Sequence, residues 1–209
     1  MLAELGILCQ LLAFAASVYA AGAGWWSARR RSERLLISAR SAALLTFPLL
    51  LGAAAILLIA LITRQYQISY VWQVTDPTTP LFYRITALWG SQQGSLLFWC
   101  VLMSLFAFVA LLINWREHHR LMPYVILFQM ATLAFFIGIS LFMESPFSRY
   151  WFAPVNPADA PVQPFMLIPS GAEAPPASEL ARTANGLNPL LRHFGMIIHP
   201  PMLYLGFVG

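Results

Sequence analysis

A chain of 209 residues with 59% hydrophobic and only 10% charged side chains lacks the exterior of a soluble domain, in which roughly a quarter of residues are charged. Its formal charge of +4 comes entirely from Arg, since no Lys occurs. The clustered Arg flank apolar runs and form no amphipathic face, so the charge signals membrane topology and excludes nucleic-acid binding.

About 20 helical residues cross a bilayer, and four apolar runs reach that length, at 5–26, 41–62, 94–115 and 121–143. The first could pass for a signal peptide, with small residues around 20–24. However, no basic residue precedes it, and it outlasts the usual apolar core of about 7–15 residues. It reads as a retained helix with its N-terminus outside. The segment 27–40 then carries Arg29, Arg30, Arg31, Arg34 and Arg40, and the turn 116–120 carries Arg116 and Arg120. Those two segments hold seven Arg against Glu33 and Glu117, whereas the opposite side holds five Arg against six acids. The asymmetry puts the short Arg-rich connections in the cytoplasm and 63–93 and 144–193 on the outer face.

Between the second and third runs, Trp89-Gly90-Ser91-Gln92-Gln93-Gly94-Ser95-Leu96-Leu97-Phe98-Trp99 sets two Gly and four polar residues between two Trp. Two readings stay open for it: an interfacial Trp belt with a helix break, or polar backbone lining a cavity. His118 and His119, in the turn after the third run, read as solvated side chains. The segment 144–193 is expected to be an irregular outer loop, because Pro154, Pro157, Pro161, Pro164, Pro169, Pro175 and Pro176 resist regular structure. A loop that long lies over a site, contacts a partner or serves as a passive connector. Cys9 and Cys100 sit inside apolar runs without a CxxC pair, so neither a disulfide framework nor a thiol redox pair is expected.

A fifth apolar run begins at Phe194 and is expected to be the start of another transmembrane helix that continues past Gly209, because sixteen residues fall short of the bilayer core. The fold class is therefore an all-α polytopic integral membrane protein, with four complete transmembrane helices, the start of a fifth and a long irregular outer loop. His199 is the only ionisable group in that last run, which favours function. Pro200 and Pro201 follow it. A residue before Pro leans to extended backbone, and Pro suits a first helical turn. The expectation is that His199 stands at the joint between outer loop and last helix, near the membrane surface. It serves there as an iron ligand or as a structural cap, and His193 is a weaker candidate.

The two stretches together resemble the CcmF/NrfE-type cytochrome c haem lyase family. Residues 89–99 resemble its WGxxEGSLLLW segment. Leu187-Asn188-Pro189-Leu190-Leu191, followed by His199-Pro200-Pro201-Met202-Leu203-Tyr204-Leu205-Gly206-Phe207-Val208-Gly209, resembles its LNPLL…HPPxLYxGYVG segment. The resemblance implies part of a haem lyase of the bacterial inner membrane, with N-terminus and long loop periplasmic. Such a lyase accepts haem from the chaperone CcmE and joins its vinyl groups to the CxxCH thiols of apocytochrome c, alongside a CcmH-type thiol-handling subunit. It also implies haem b as cofactor, with His199 an axial ligand of its iron, and a binding region of His199, Pro200, Pro201, Trp89, Gly90, Gln93, Gly94 and Trp99. No catalytic residue follows from it. Gln93 stands where the family commonly has Glu, so an acid function there is absent or moved. The family's Trp-rich haem segment would lie after Gly209, and this stretch alone is expected to be inactive. A non-catalytic assembly subunit and a transporter are the alternatives; a transporter would show paired broken helices in repeated halves, and the sequence has no repeat.

Overall fold

Small side chains let the first two helices touch. Helix α1 (Leu2–Arg30) buries Ala13, Ser17, Ala20, Ala21 and Gly24, and α2 (Glu33–Ile62) buries Ala39, Ala43, Ala53, Ala54 and Ala60. This pair has the most extensive contact in the fold. Inside lipid no hydrophobic driving force separates helix–helix from helix–lipid contact, so close backbone approach through small residues supplies the packing. The computed structural model describes residues 1–149, 164, 165, 171, 173 and 175–208. Pro154, Pro157, Pro161 and Pro169 of the expected outer loop, and Gly209, lie outside the described residues.

Helices α3 (Ser69–Val74), α4 (Leu81–Thr86), α5 (Gln92–Ile113), α6 (Met122–Phe142), α7 (Ala177–Thr183) and α8 (Phe194–Val208) follow in chain order, with short 3-10 turns at Ala87–Trp89 and Pro189–Arg192. Four of these helices, α1, α2, α5 and α6, are long and apolar enough to cross a membrane. Among the described residues there is no strand; one isolated bridge joins Ile68 to Arg149. Helix α6 lies against α1, where an added Cβ on Gly24 would stand 3.0 Å from the Pro123 carbonyl oxygen. A deep polar link between these helices is the Gln10 side-chain amide, which donates to Ser140 Oγ at 2.9 Å, both residues fully buried. Outward, Leu8, Leu12, Val18, Leu45, Leu51, Phe128 and Phe135 are exposed, as side chains facing lipid are.

One expectation needs correction. The Arg-rich connection 27–40 is almost wholly helical; α1 runs to Arg30, α2 starts at Glu33, and only Arg31 and Ser32 turn the chain. Leu, Arg, Ala and Glu are good helix formers whose propensity does not stop where the apolar run does. Arg31 makes the reversal with left-handed backbone, φ 50°, ending α1 with an N–H bond to the Ser27 carbonyl. The segment 63–93 also carries regular structure. It folds as α3, α4 and a 3-10 turn packed on the ends of α2 and α5.

Candidate functional site

At the end of the bundle opposite the Arg-rich turns, a buried tyrosine sets the shape of the Trp89–Trp99 segment. Tyr70 on α3 is fully buried, and its hydroxyl donates to the carbonyls of Ala87 at 2.7 Å and Leu88 at 3.1 Å. Burial pushes its phenol well above the ordinary tyrosine value, so it stays a neutral donor. Gly94, in the first turn of α5, rests on this arrangement. A Cβ there would collide with both the Leu88 carbonyl oxygen and the Tyr70 hydroxyl. Gly94 is thus required by close approach. Gly90 is closely covered too, by Leu187 Cδ1 at 3.0 Å from where its Cβ would be. Ser95 Oγ donates to the Trp89 carbonyl at 3.0 Å and closes the corner.

The segment 185–208 then packs onto this corner. The Asn185 N–H donates to the Trp72 carbonyl at 3.1 Å, and Arg192 lies 3.8 Å from the Asp76 carboxylate. Burial raises the Asp76 carboxyl, but hydrogen bonds from Thr78 and Thr79 outweigh it and hold the group below its ordinary value. His193 heads α8 as its cap, with Nδ1 accepting from the Gly195 N–H at 3.2 Å. That cap explains why α8 begins at Phe194.

Consequently His199 is not at the joint between loop and helix. It lies in the second turn of α8, with Pro200 and Pro201 inside the helix. A helical Pro supplies no N–H to the carbonyl four residues back, so Pro201 deprives the Ile197 carbonyl of its helical donor. The donor comes instead from Trp89, whose indole N–H reaches that oxygen at 3.0 Å, across 108 residues of sequence. The two recognised segments are joined at this bond.

Aromatic contacts extend the joint. Trp89 lies against Phe98 (5.5 Å between ring centroids), Phe98 against Tyr204 (6.2 Å), and Trp99 stacks on Tyr204 at 6.1 Å and 17°. Trp99 also meets Phe136 of α6 at 4.7 Å. Two polar atoms in this region, Gln93 Oε1 and Trp99 Nε1, are buried with no hydrogen-bond partner among the described residues. Beneath them a cavity of about 370 Å³ opens between α5, α6 and α8, lined by Trp99, Phe106, Gln129, Phe136 and Phe207.

His199 itself is exposed and makes no hydrogen bond or ion pair among the described residues. Met202 and Leu203, three and four residues on and so on the same face of α8, are 60% and 43% exposed. The imidazole therefore stands on an open apolar face, suited to a flat apolar group with a metal at its centre. Among the described residues no three His, Cys, Asp or Glu side chains converge as a metal site. The structure brings Trp89, Gly90, Gln93, Gly94 and Trp99 against the helix of His199, Pro200 and Pro201. It leaves His118 and His119 at the far end, where His119 meets Trp115 edge-on at 5.2 Å. Cys9 and Cys100 are free thiols. Sequence reasoning missed Tyr70, the His193 cap and the Trp89 bond. The signal for the last was present in Pro201, which leaves a carbonyl in need of a donor.

No family model matches the sequence. The chain is 31% identical over 159 residues to the cytochrome c-type biogenesis protein CcmF of Escherichia coli (strain K12), covering 76% of this chain and 20% of that protein. It is 29% identical over 145 residues to the cytochrome c-type biogenesis protein NrfE of Haemophilus influenzae, covering 69% of this chain and 18% of that one. The chain thus spans about a fifth of the length of the curated relatives it matches. In fold it is similar to a solved structure described as cytochrome c haem lyase CcmF, with a TM-score of 0.75 and 23% identity over 100% of this chain and 28% of that one.

Proposed function

The chain belongs to the CcmF/NrfE family of cytochrome c-type biogenesis proteins, and on that premise we propose that it forms part of a haem lyase acting on the outer side of the bacterial inner membrane. The Arg-rich turns face the cytoplasm in this reading, and α3, α4, α7 and the start of α8 face the periplasm, as the charge asymmetry favours. Haem and apocytochrome c are the substrates. The haem chaperone CcmE is the donor, and a CcmH-type subunit presents the reduced thiols.

The observation that carries this reading is the exposed His199 on the apolar face of α8, a helix tied to the outer segment by the Trp89–Ile197 bond. A neutral imidazole nitrogen coordinates haem iron, and Met202 and Leu203 on the same face match a porphyrin's apolar surface. Pro200 and Pro201 fix the helix that carries the imidazole. Trp89 fixes the kinked backbone, and Tyr70 and Gly94 fix Trp89. Haem held in this way keeps its orientation while the thiol of each CxxCH cysteine adds across a vinyl group. A C–S bond forms, the thiol proton passes to the adjoining vinyl carbon, and no net oxidation occurs. Gln93 is an amide and takes no part as an acid.

The test is maturation in cells lacking their own lyase, complemented with the full-length protein. His199→Ala should insert and accumulate at wild-type level while a reporter cytochrome c carries no covalent haem on a denaturing gel. Covalent haem at the wild-type level would overturn the proposal.

A further inference from the structure

The Arg-rich end of the bundle holds a second cleft, of about 690 Å³, where the turn after α1, the start of α2 and the start of α6 converge. Arg31, Ser32, Glu33, His119, Arg120 and Tyr124 line it. Three other basic residues at this end are engaged by aromatic rings. Arg29 lies over the Trp25 ring at 4.4 Å, Arg30 over Trp26 at 5.0 Å and Arg40 over Trp115 at 4.3 Å. These three guanidinium groups are already engaged. Arg31 and Arg120 have no ion pair, hydrogen bond or ring partner among the described residues.

The reason Arg31 faces the cleft is its backbone. Its left-handed conformation (φ 50°) turns the chain between α1 and α2. Arg120 arrives from the turn before α6. Ser32 heads the 30-residue α2 without a side-chain cap, so first-turn N–H groups of that helix stay without an intrahelical acceptor beside the cleft. Glu33 is the one acid on the lining and forms no ion pair with either Arg. Trp25, Trp26 and Tyr124, exposed at the same end, mark the level at which a bilayer's headgroups lie.

We propose that this cleft is a binding site for a phosphate-bearing anion, the headgroup of an acidic glycerophospholipid or free phosphate, with Arg31 and Arg120 as its two cationic arms. Guanidinium groups bind phosphate oxygens through paired N–H donors. Basic pockets between transmembrane helices suit anionic headgroups. The open first turn of α2 adds donors to the same anion. The Arg29, Arg30 and Arg40 guanidiniums, over their Trp rings, fix the headgroup level around it.

The test uses the intact protein in nanodiscs of phosphatidylcholine with a minor fraction of phosphatidylglycerol. Native mass spectrometry counts the phosphatidylglycerol retained on ejection. Arg31→Gln/Arg120→Gln should lower its occupancy roughly tenfold or more, whereas Arg34→Gln/Arg116→Gln, which removes the same charge at the same end but off the cleft, should leave it unchanged. In a second arm, delipidated protein in neutral detergent is titrated with inorganic phosphate, and thermal stabilisation is read. Stabilisation lost only in the cleft variant, without retained lipid, assigns the site to free phosphate; retained lipid without phosphate stabilisation assigns it to the headgroup. Equal losses in both double variants, or none in either arm, would overturn the proposal.

Discussion

Gly94→Ala is the smallest change that should damage the corner between Trp89 and Trp99. The added methyl would run into the Leu88 carbonyl oxygen and the Tyr70 hydroxyl at once. Neither yields readily, because one is backbone and the other belongs to a ring with no exposed surface. Overpacking a well-filled site costs about 1–3 kcal/mol. Tyr70 can move aside only by giving up its bonds to the Ala87 and Leu88 carbonyls, worth about 1 kcal/mol each. Together these come to about 3 kcal/mol, enough to read as a clear fall in melting temperature. The assay is thermal unfolding of the purified full-length protein in detergent, with Leu96→Ile as control, a volume-conserving swap expected to cost less than about 1.5 kcal/mol. In a Tyr70→Ala background the Gly94→Ala penalty should shrink, since one of the two obstructing groups is gone. Equal stability of Gly94→Ala and Leu96→Ile would refute the close approach and leave the Trp pair as an interfacial belt alone.

Trp89→Phe should leave the Ile197 carbonyl without a donor and destabilise the joint by about 1–3 kcal/mol; in a Pro201→Ala background, where the helix regains its own N–H, the same substitution should cost distinctly less, as a double-mutant cycle in thermal stability will read. The Asp76 carboxyl is held below its ordinary value, so its contribution is complete above about pH 4 and is lost as pH falls through the lowered value. Asp76→Asn should therefore lower stability at neutral pH and flatten the acid limb of a stability–pH profile; an unchanged profile would remove Asp76 from the account. Reporter fusions at Arg31 and His118 should behave as cytoplasmic and one at Asn185 as external, and the reverse result would invert the proposed sidedness.

The membrane helices were legible because a run of about 20 apolar residues has few other fates. Their ends were less so: α2 begins at Glu33 because helix propensity carries through the charged residues outside the apolar run. The segment 63–93 hid α3 and α4, whose six residues each are too short to show a period and depend on packing for their stability. Within the site, the residue types were visible but their relation was not. Local rules place His199 before a helix start, since Pro follows it. The His193 cap and the Trp89 donor let α8 begin at Phe194, before His199, and carry both prolines inside. The Tyr70–Gly94 contact is equally long-range, and a lone Tyr in an outer segment gives no hint of which glycine will cover it.

The central claim, that the His199 imidazole ligates haem iron, is tested most directly by the absorption spectrum of purified full-length His199→Ala protein, recorded with and without added imidazole. The account predicts that the variant holds less haem, with a changed ferrous Soret band, and that haem supplied together with free imidazole restores the wild-type spectrum. An unchanged spectrum and full haem content in the variant would contradict it and leave His199 a structural residue of α8.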